Sequence, residues 1–136
     1  MEVWIDGVLY VPAESEDLPE GYLSPHFRAE EFTCNHCGSA GPGVPQELLD
    51  VLEEVRDWAG CPVVINSGYR CPTHNANVGG APQSKHLEGI AADIRLTEVP
   101  SNRVADHLEG EYPDRYGIGR YDSFTHIDVR PTKARW

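Results

Sequence analysis

The chain has 136 residues, 40% of them hydrophobic and 24% charged, as expected for one globular domain with a real core. Its 22 acidic and 11 basic residues leave a formal charge of −11, which argues against nucleic acid or an anionic membrane as the main partner. No stretch approaches the ~20 apolar residues of a membrane span. The opening Met1-Glu2-Val3-Trp4-Ile5-Asp6-Gly7 lacks the basic start and apolar run of a signal peptide. Synthesis in the cytoplasm without membrane insertion, as a monomer, is the expectation.

Residues 3–11 read as a hairpin, Val-Trp-Ile and Val-Leu-Tyr-Val around the turn signal Asp6-Gly7. Residues 12–20 are acidic and proline-bearing, hence a linker. The expected division is residues 1–22 as hairpin and linker and residues 23–136 as the functional domain. Residues 26–32 suggest a short helical turn pinned by Phe27 and Phe32. The clearest helix spans 45–59, with Pro45 in its first turn and Gly60 as its left-handed stop. Leu48, Leu52, Val55 and Ala59 form its apolar stripe, widened by Leu49, Val51 and Trp58. Residues 62–66 follow as a buried strand, 67–72 as a turn carrying Arg70, and 75–83 as an irregular loop. A strand over 90–96 carries Asp93. A helix over 101–111 is capped by Ser101 or Asn102. Residues 116–121 and 125–129 pair around Asp122-Ser123-Phe124. The sum is an α+β fold, helices packed on a small antiparallel sheet.

Cys34 and Cys37 have CxxC spacing, which suits a metal turn, a redox pair or a strained disulfide. No second CxxC follows, so a structural zinc on Cys34, Cys37, Cys61 and Cys71 ranks below disulfides or plain buried thiols. Cytoplasmic synthesis favours reduced thiols.

The chemistry centres on Ser84-Lys85-His86-Leu87-Glu88-Gly89-Ile90-Ala91-Ala92-Asp93. His86 and Asp93, seven residues apart, supply an imidazole and a carboxylate from a loop and a strand, and His126 lies on a later strand. Two histidines and one carboxylate are the donor set of an open catalytic zinc site. His26, His36, His74 and His107 read as ordinary loop or surface histidines, Asn75 as a loop-ordering residue, and Tyr69 and Tyr121 as packing residues.

The motifs Ser67-Gly68-Tyr69-Arg70, Asn75, Gly79-Gly80, Ser84-x-His86-x-x-Gly89-x-Ala91-x-Asp93, Gly117-x-Gly119-x-Tyr121 and His126-x-Asp128-x-Arg130 occur in one order. In combination, from Leu23 to Trp136, they resemble the zinc D-alanyl-D-alanine carboxypeptidase family, which includes phage endolysin peptidases, VanX-type dipeptidases and murein endopeptidases. The resemblance implies a Hedgehog/DD-peptidase-like fold and zinc ligands at His86, Asp93 and His126. It also implies a substrate-gripping arginine at Arg70 and a substrate-contacting hydroxyl at Ser84. A guanidinium offers forked donors to a carboxylate or an oxyanion, which suits Arg70 to that part.

One position departs from the family. Many members carry an acidic general base three residues before the last zinc histidine, where this chain has Ser123. Asp122 and Asp128 are the substitutes. Strand alternation puts Asp128 on the face of His126 and favours it, while a role orienting a zinc ligand is its rival. The implied function is hydrolysis of peptide bonds in peptidoglycan stem peptides, as a D,D-carboxypeptidase or endopeptidase. A cytoplasmic product would reach the wall by phage-mediated release or as part of a virion. The alternatives are a zinc-containing wall-binding module without turnover, as the related Hedgehog signalling domain suggests, and a structural subunit of a phage particle.

Overall fold

The computed structural model describes residues 18–136 in full and, before them, the backbone of residues 3–5 and 8–10. Strands β1 (Val3–Ile5) and β2 (Val8–Tyr10) pair antiparallel, Val3 opposite Tyr10. The Asp6-Gly7 turn and linker residues 12–17 lie outside the described residues.

Strands β3 (Tyr22–Ser24) and β4 (Phe27–Arg28) form a second small hairpin, followed by a 3-10 turn at Ala29–Phe32. The helical turn expected over 26–32 is therefore confined to its last four residues, Phe27 and Arg28 being strand. The Arg28 backbone N–H donates to Glu31 at 2.6 Å, which starts the 3-10 turn only after residue 28. Phe27 and Phe32 are both buried, with ring centroids 6.2 Å apart.

Helix α1 (Gln46–Ala59) ends at Gly60, whose φ of 65° is the left-handed stop, and begins with Pro45 as its cap. Leu48, Leu49, Val51, Leu52 and Val55 are buried. Trp58 is not part of that stripe: it is exposed and stacks on His107, ring centroids 3.9 Å apart. Helix α3 (Ser101–Glu111) likewise begins after a proline, Pro100, with no side-chain cap from Ser101 or Asn102. Between these, α2 (Pro72–Asn77) occupies a stretch expected to be turn and loop. Six residues are too few to show an apolar period, though Pro72 at its first position was a legible start signal.

The main sheet has the order β5-β6-β8-β7-β9, from β5 (Val63–Ser67), β6 (Ala91–Leu96), β7 (Gly117–Arg120), β8 (Thr125–Asp128) and β9 (Ala134–Arg135). All pairings are antiparallel except β7 with β9, which is parallel and closes the edge with the chain's last residues. The class is mixed α+β. Successive side chains on a strand face opposite ways, and the sheet uses this strictly. Ala92, Ile94, Leu96, Ile118 and Ile127 enter the apolar core with the buried residues of α1 and α3. The opposite face carries Asp93, His126 and Asp128.

Glu53 of α1 clamps the β3–β4 hairpin. It accepts from Ser24 Oγ at 2.7 Å and from the His26 backbone at 2.8 Å, and its Oε1 lies 2.6 Å from His26 Nδ1. Burial raises its pKa, but the Ser24 and His26 contacts outweigh burial and leave it lowered. A depressed carboxylate stabilises fully above its unfolded pKa and loses that contribution as pH falls through its folded one. Glu53→Gln should therefore lower the denaturant midpoint at neutral pH. The gap to wild type should shrink below about pH 4.5. In the core, Leu52→Ala should cost about 2–5 kcal/mol, read from the same urea curves.

Candidate metal centre

Register places the polar face. Asp93 pairs with His126 across β6 and β8, and His126 with Gly119 across β8 and β7. One step along, Ala91 pairs with Asp128 and Asp128 with Gly117. The two glycines are required by space. A Cβ on Gly117 would run into the Asp128 carboxylate and Arg130 Nε, and one on Gly119 into the Trp136 indole.

His86 arrives from the loop before β6. Its Nδ1 lies 2.7 Å from the Gly68 carbonyl, and its own carbonyl accepts from the Arg70 backbone at 3.1 Å. With Nδ1 donating there, Nε2 carries the lone pair. His86 Nε2 is 3.1 Å from Asp93 Oδ1 but has no hydrogen-bond partner among the described residues. On the other side, His126 Nδ1 is 2.9 Å from the same oxygen. The three donor atoms lie within 4.8 Å of one another and all three residues are buried.

These residues fit zinc. An orphaned buried imidazole nitrogen facing a second imidazole and a carboxylate is costly unless a cation completes it. Tetrahedral zinc with bonds of about 2.0–2.1 Å spaces its ligands about 3.3 Å apart, close to the separations seen here.

Behind the donors stands a second layer of contacts. Asp128 is fully buried, and its Oδ2 lies 2.7 Å from His126 Nε2. Arg130 donates to Asp128 from Nε and from Nη2, each at 2.7 Å, and from its backbone at 3.2 Å. Burial alone would raise the Asp128 pKa; the Arg130 and His126 contacts bring it well below the usual carboxylate range. Asp93 is lowered in the same way, burial being overcome by His126 and His86. For His126 burial works against the charged form, yet Asp128 and Asp93 raise its pKa.

Arg70 sits beside Asp93. Its Nη2 donates to Asp93 Oδ2 at 3.0 Å, its Nε to Ser67 Oγ at 3.1 Å, and its Nη1 reaches Asn75 Oδ1 at 3.4 Å. Asn75 is itself buried and donates to the Ala81 carbonyl at 2.9 Å. It thus orders the loop and holds the arginine as well. Ser84 lines the cavity, where its Oγ accepts from the His86 backbone at 3.2 Å.

The cavity above these groups has a volume of about 540 Å³ and includes Arg70, Ser84, His86, Asp93 and His126 in its walls. Neither substitute base lines it. Asp128 lies behind His126, and Asp122 is exposed in a neighbouring groove with Arg95 and Ser101. Sequence reasoning missed the aromatic wall. Trp136 lies 4.9 Å from the His126 ring, under the Arg130 guanidinium, and donates from Nε1 to Tyr121 Oη at 3.0 Å. Its position at the chain's end offered no periodic signal, since only the parallel strand β9 carries it there.

A family profile described as Peptidase M15 matches residues 25–128. The chain belongs to that family. It is 52% identical over 33 residues to a zinc D-Ala-D-Ala carboxypeptidase of Streptomyces albus G, covering 24% of this chain and 13% of that protein. A second similarity is to a tryptophan synthase alpha chain of Corynebacterium efficiens, 23% identical over 113 residues, 81% of this chain and 38% of that one. The chain thus spans well under half the length of either relative. Membership in the family and the carboxypeptidase match support a zinc peptidase, and the His86, Asp93 and His126 group supplies donors for the metal.

Because Asp128 holds the far nitrogen of His126, Asp128→Asn should weaken zinc binding about 10–100-fold, measured by competition with a chromophoric chelator. An unchanged zinc affinity would show that the contact does not orient the ligand.

Proposed function

We propose that this chain is a zinc-dependent peptidase that hydrolyses peptide bonds in the stem peptides of bacterial peptidoglycan, as a D,D-carboxypeptidase or endopeptidase. The observation that carries this reading is the convergence of His86, Asp93 and His126 in the wall of an open cavity beside Arg70. Those three residues would hold the metal. Zinc there would polarise a peptide carbonyl and lower the pKa of water toward about 7.

The chain's own residues do the rest. Three of the five Arg70 N–H donors are used by Ser67, Asn75 and Asp93, which leaves two for a substrate carboxylate or a developing oxyanion. Arg70 is thereby aimed before substrate arrives. The cavity wall holds three cationic side chains, Arg70, Lys85 and Arg130, which are paired with Asp93, Glu88 and Asp128 respectively. The two free N–H donors of Arg70 suit an anionic peptide end, such as the terminal carboxylate of a stem peptide. Ser84 stands at the same wall as a hydroxyl for the substrate backbone. Asp128 positions His126 and fixes which of its nitrogens faces the metal.

Treatment with a chelator should abolish release of amino groups from defined muropeptides, and added zinc should restore it. Mass spectrometry of the products names the bond. Digestion indifferent to metal removal would refute the reading. For Asp122, which neighbours the cavity-lining Tyr121, a role as general base predicts that Asp122→Ala keeps its zinc while kcat falls about 10²–10⁴-fold. Unchanged turnover would remove it from the mechanism.

A second reading has one observation in its favour. The only carboxylate in the cavity wall, among the described residues, is Asp93, which belongs to the metal's donor set. A wall-binding or phage structural module that keeps its zinc without turnover fits that lack of a free base. Retention on insoluble peptidoglycan with no product from any muropeptide would decide for it.

A further inference from the structure

Away from the cavity, three cysteines come together. The Sγ atoms of Cys34, Cys37 and Cys71 lie within 4.8 Å of one another, and all four cysteines of the chain are free thiols. Cys61, grouped with them on sequence grounds, is not there. It lies just after α1, in the apolar core among the buried residues of that helix. An imidazole stands beside the three-thiol group, in contact with one of its members: His36 Nδ1 is 3.7 Å from Cys71 Sγ.

We propose that Cys34, Cys37, Cys71 and His36 form a second, structural zinc site of the Cys3His type. Tetrahedral zinc with Zn–S of about 2.3 Å and Zn–N of about 2.0–2.1 Å separates a sulfur from a nitrogen ligand by about 3.6 Å. The His36–Cys71 distance of 3.7 Å is close to that. The backbone is arranged for thiolates as well. The Cys71 N–H donates to Cys34 Sγ and the His74 N–H to Cys71 Sγ, each at 3.4 Å. Gly38 follows Cys37 with a φ of 74°, and its N–H donates to the Cys34 carbonyl at 2.8 Å, which folds the CxxC segment back on itself. A disulfide would use two of these thiols and strand the third. A tetrahedral metal uses all three and the imidazole, and each thiol releases a proton on binding.

The position gives the metal a task. Cys34 and Cys37 lie in the segment after the 3-10 turn, whereas Cys71 caps α2 and is the residue after Arg70. The same two segments are joined by the Tyr69 N–H donating to the Phe32 carbonyl at 2.9 Å. A Cβ on Gly68 would meet the Phe32 backbone at 2.7 Å, so the approach is close. A zinc there ties the loop bearing Arg70 to the body of the protein.

The test counts metal per chain in purified full-length protein by elemental analysis, and replaces zinc with cobalt to look for thiolate-to-metal charge transfer in the near ultraviolet. Wild type should hold two zinc ions. His86→Ala/Asp93→Ala should keep one, with the thiolate bands intact. Cys37→Ser, at an exposed position, should also keep one but lose those bands. His36→Ala should lose the second ion and His74→Ala should retain it. A single zinc in wild type that disappears in His86→Ala/Asp93→Ala would overturn the proposal. So would a Cys34–Cys37 disulfide found by mass spectrometry in protein purified without oxidant. Retention of two ions by His36→Ala would overturn the ligand set.

Discussion

The pairing of Asp93 with His126 across two central strands is the constraint on which the rest of the molecule depends. A shift of that register by one residue would carry His126 and Asp128 into the apolar core and bring Ile127 out. Neither outcome is tolerable, because Ile127 is fully buried against the helices while Asp128 is bound by Arg130. The alternation of apolar and polar residues on β6 and β8 thus does two things at once. It drives the sheet onto α1 and α3, and it gathers an imidazole and a carboxylate on the remaining face. Gly117 and Gly119 follow from the same register, since any side chain there would occupy the space of Arg130 or Trp136.

Packing charge at the middle of a sheet is expensive, and the structure shows how the cost is met. Asp128 is fully buried but accepts from His126 and three times from Arg130. Asp93 is shared among His86, His126 and Arg70. A buried pair of this kind adds little net stability, because desolvation consumes most of the Coulombic gain. What it does supply is direction: His126 can present only one nitrogen to the cavity while Asp128 holds the other. The remaining open account is His86 Nε2, buried and without a hydrogen bond. That one orphan atom, facing the His126 imidazole and the Asp93 carboxylate, is what suits the network to a metal ion.

Much of this was legible in the sequence, and for identifiable reasons. Long periodic elements announced themselves: the stripe of α1, its glycine stop and the alternation of β6 and β8 needed no tertiary information. Alternation also put Asp128 on the face of His126, as found. What it did not reveal was which side of the imidazole the carboxylate would meet. Neighbours two apart on a strand touch through their rotamers, and here Arg130 pulls Asp128 behind the ring. The six-residue α2 and the two-residue β9 escaped because both are too short to have a period of their own, and β9 depends on pairing with the distant β7. CxxC brought Cys34 and Cys37 together in sequence, but that Cys71 joins them while Cys61 is buried in the core is decided by the fold alone.

Two loops with little regular structure therefore carry the most exacting geometry in the chain. Arg70 must meet Asp93 from outside the sheet, on a segment that also has to deliver the Gly68 carbonyl to His86. An unanchored loop of this kind would lose much of its binding energy to ordering on each encounter with substrate. Here the ordering is done beforehand. Phe32 takes the Tyr69 amide, Asn75 and Ser67 hold the guanidinium, and Cys34 takes the Cys71 amide. Every one of these anchors lies within a few residues of Arg70 or on the segment that ends at Cys37. The acidic surface and the cationic cavity can coexist for the same reason. The positive groups are fixed by short, specific contacts, Arg70 to Asp93, Lys85 to Glu88 and Arg130 to Asp128, while most of the chain's 22 acidic residues lie outside the cavity wall.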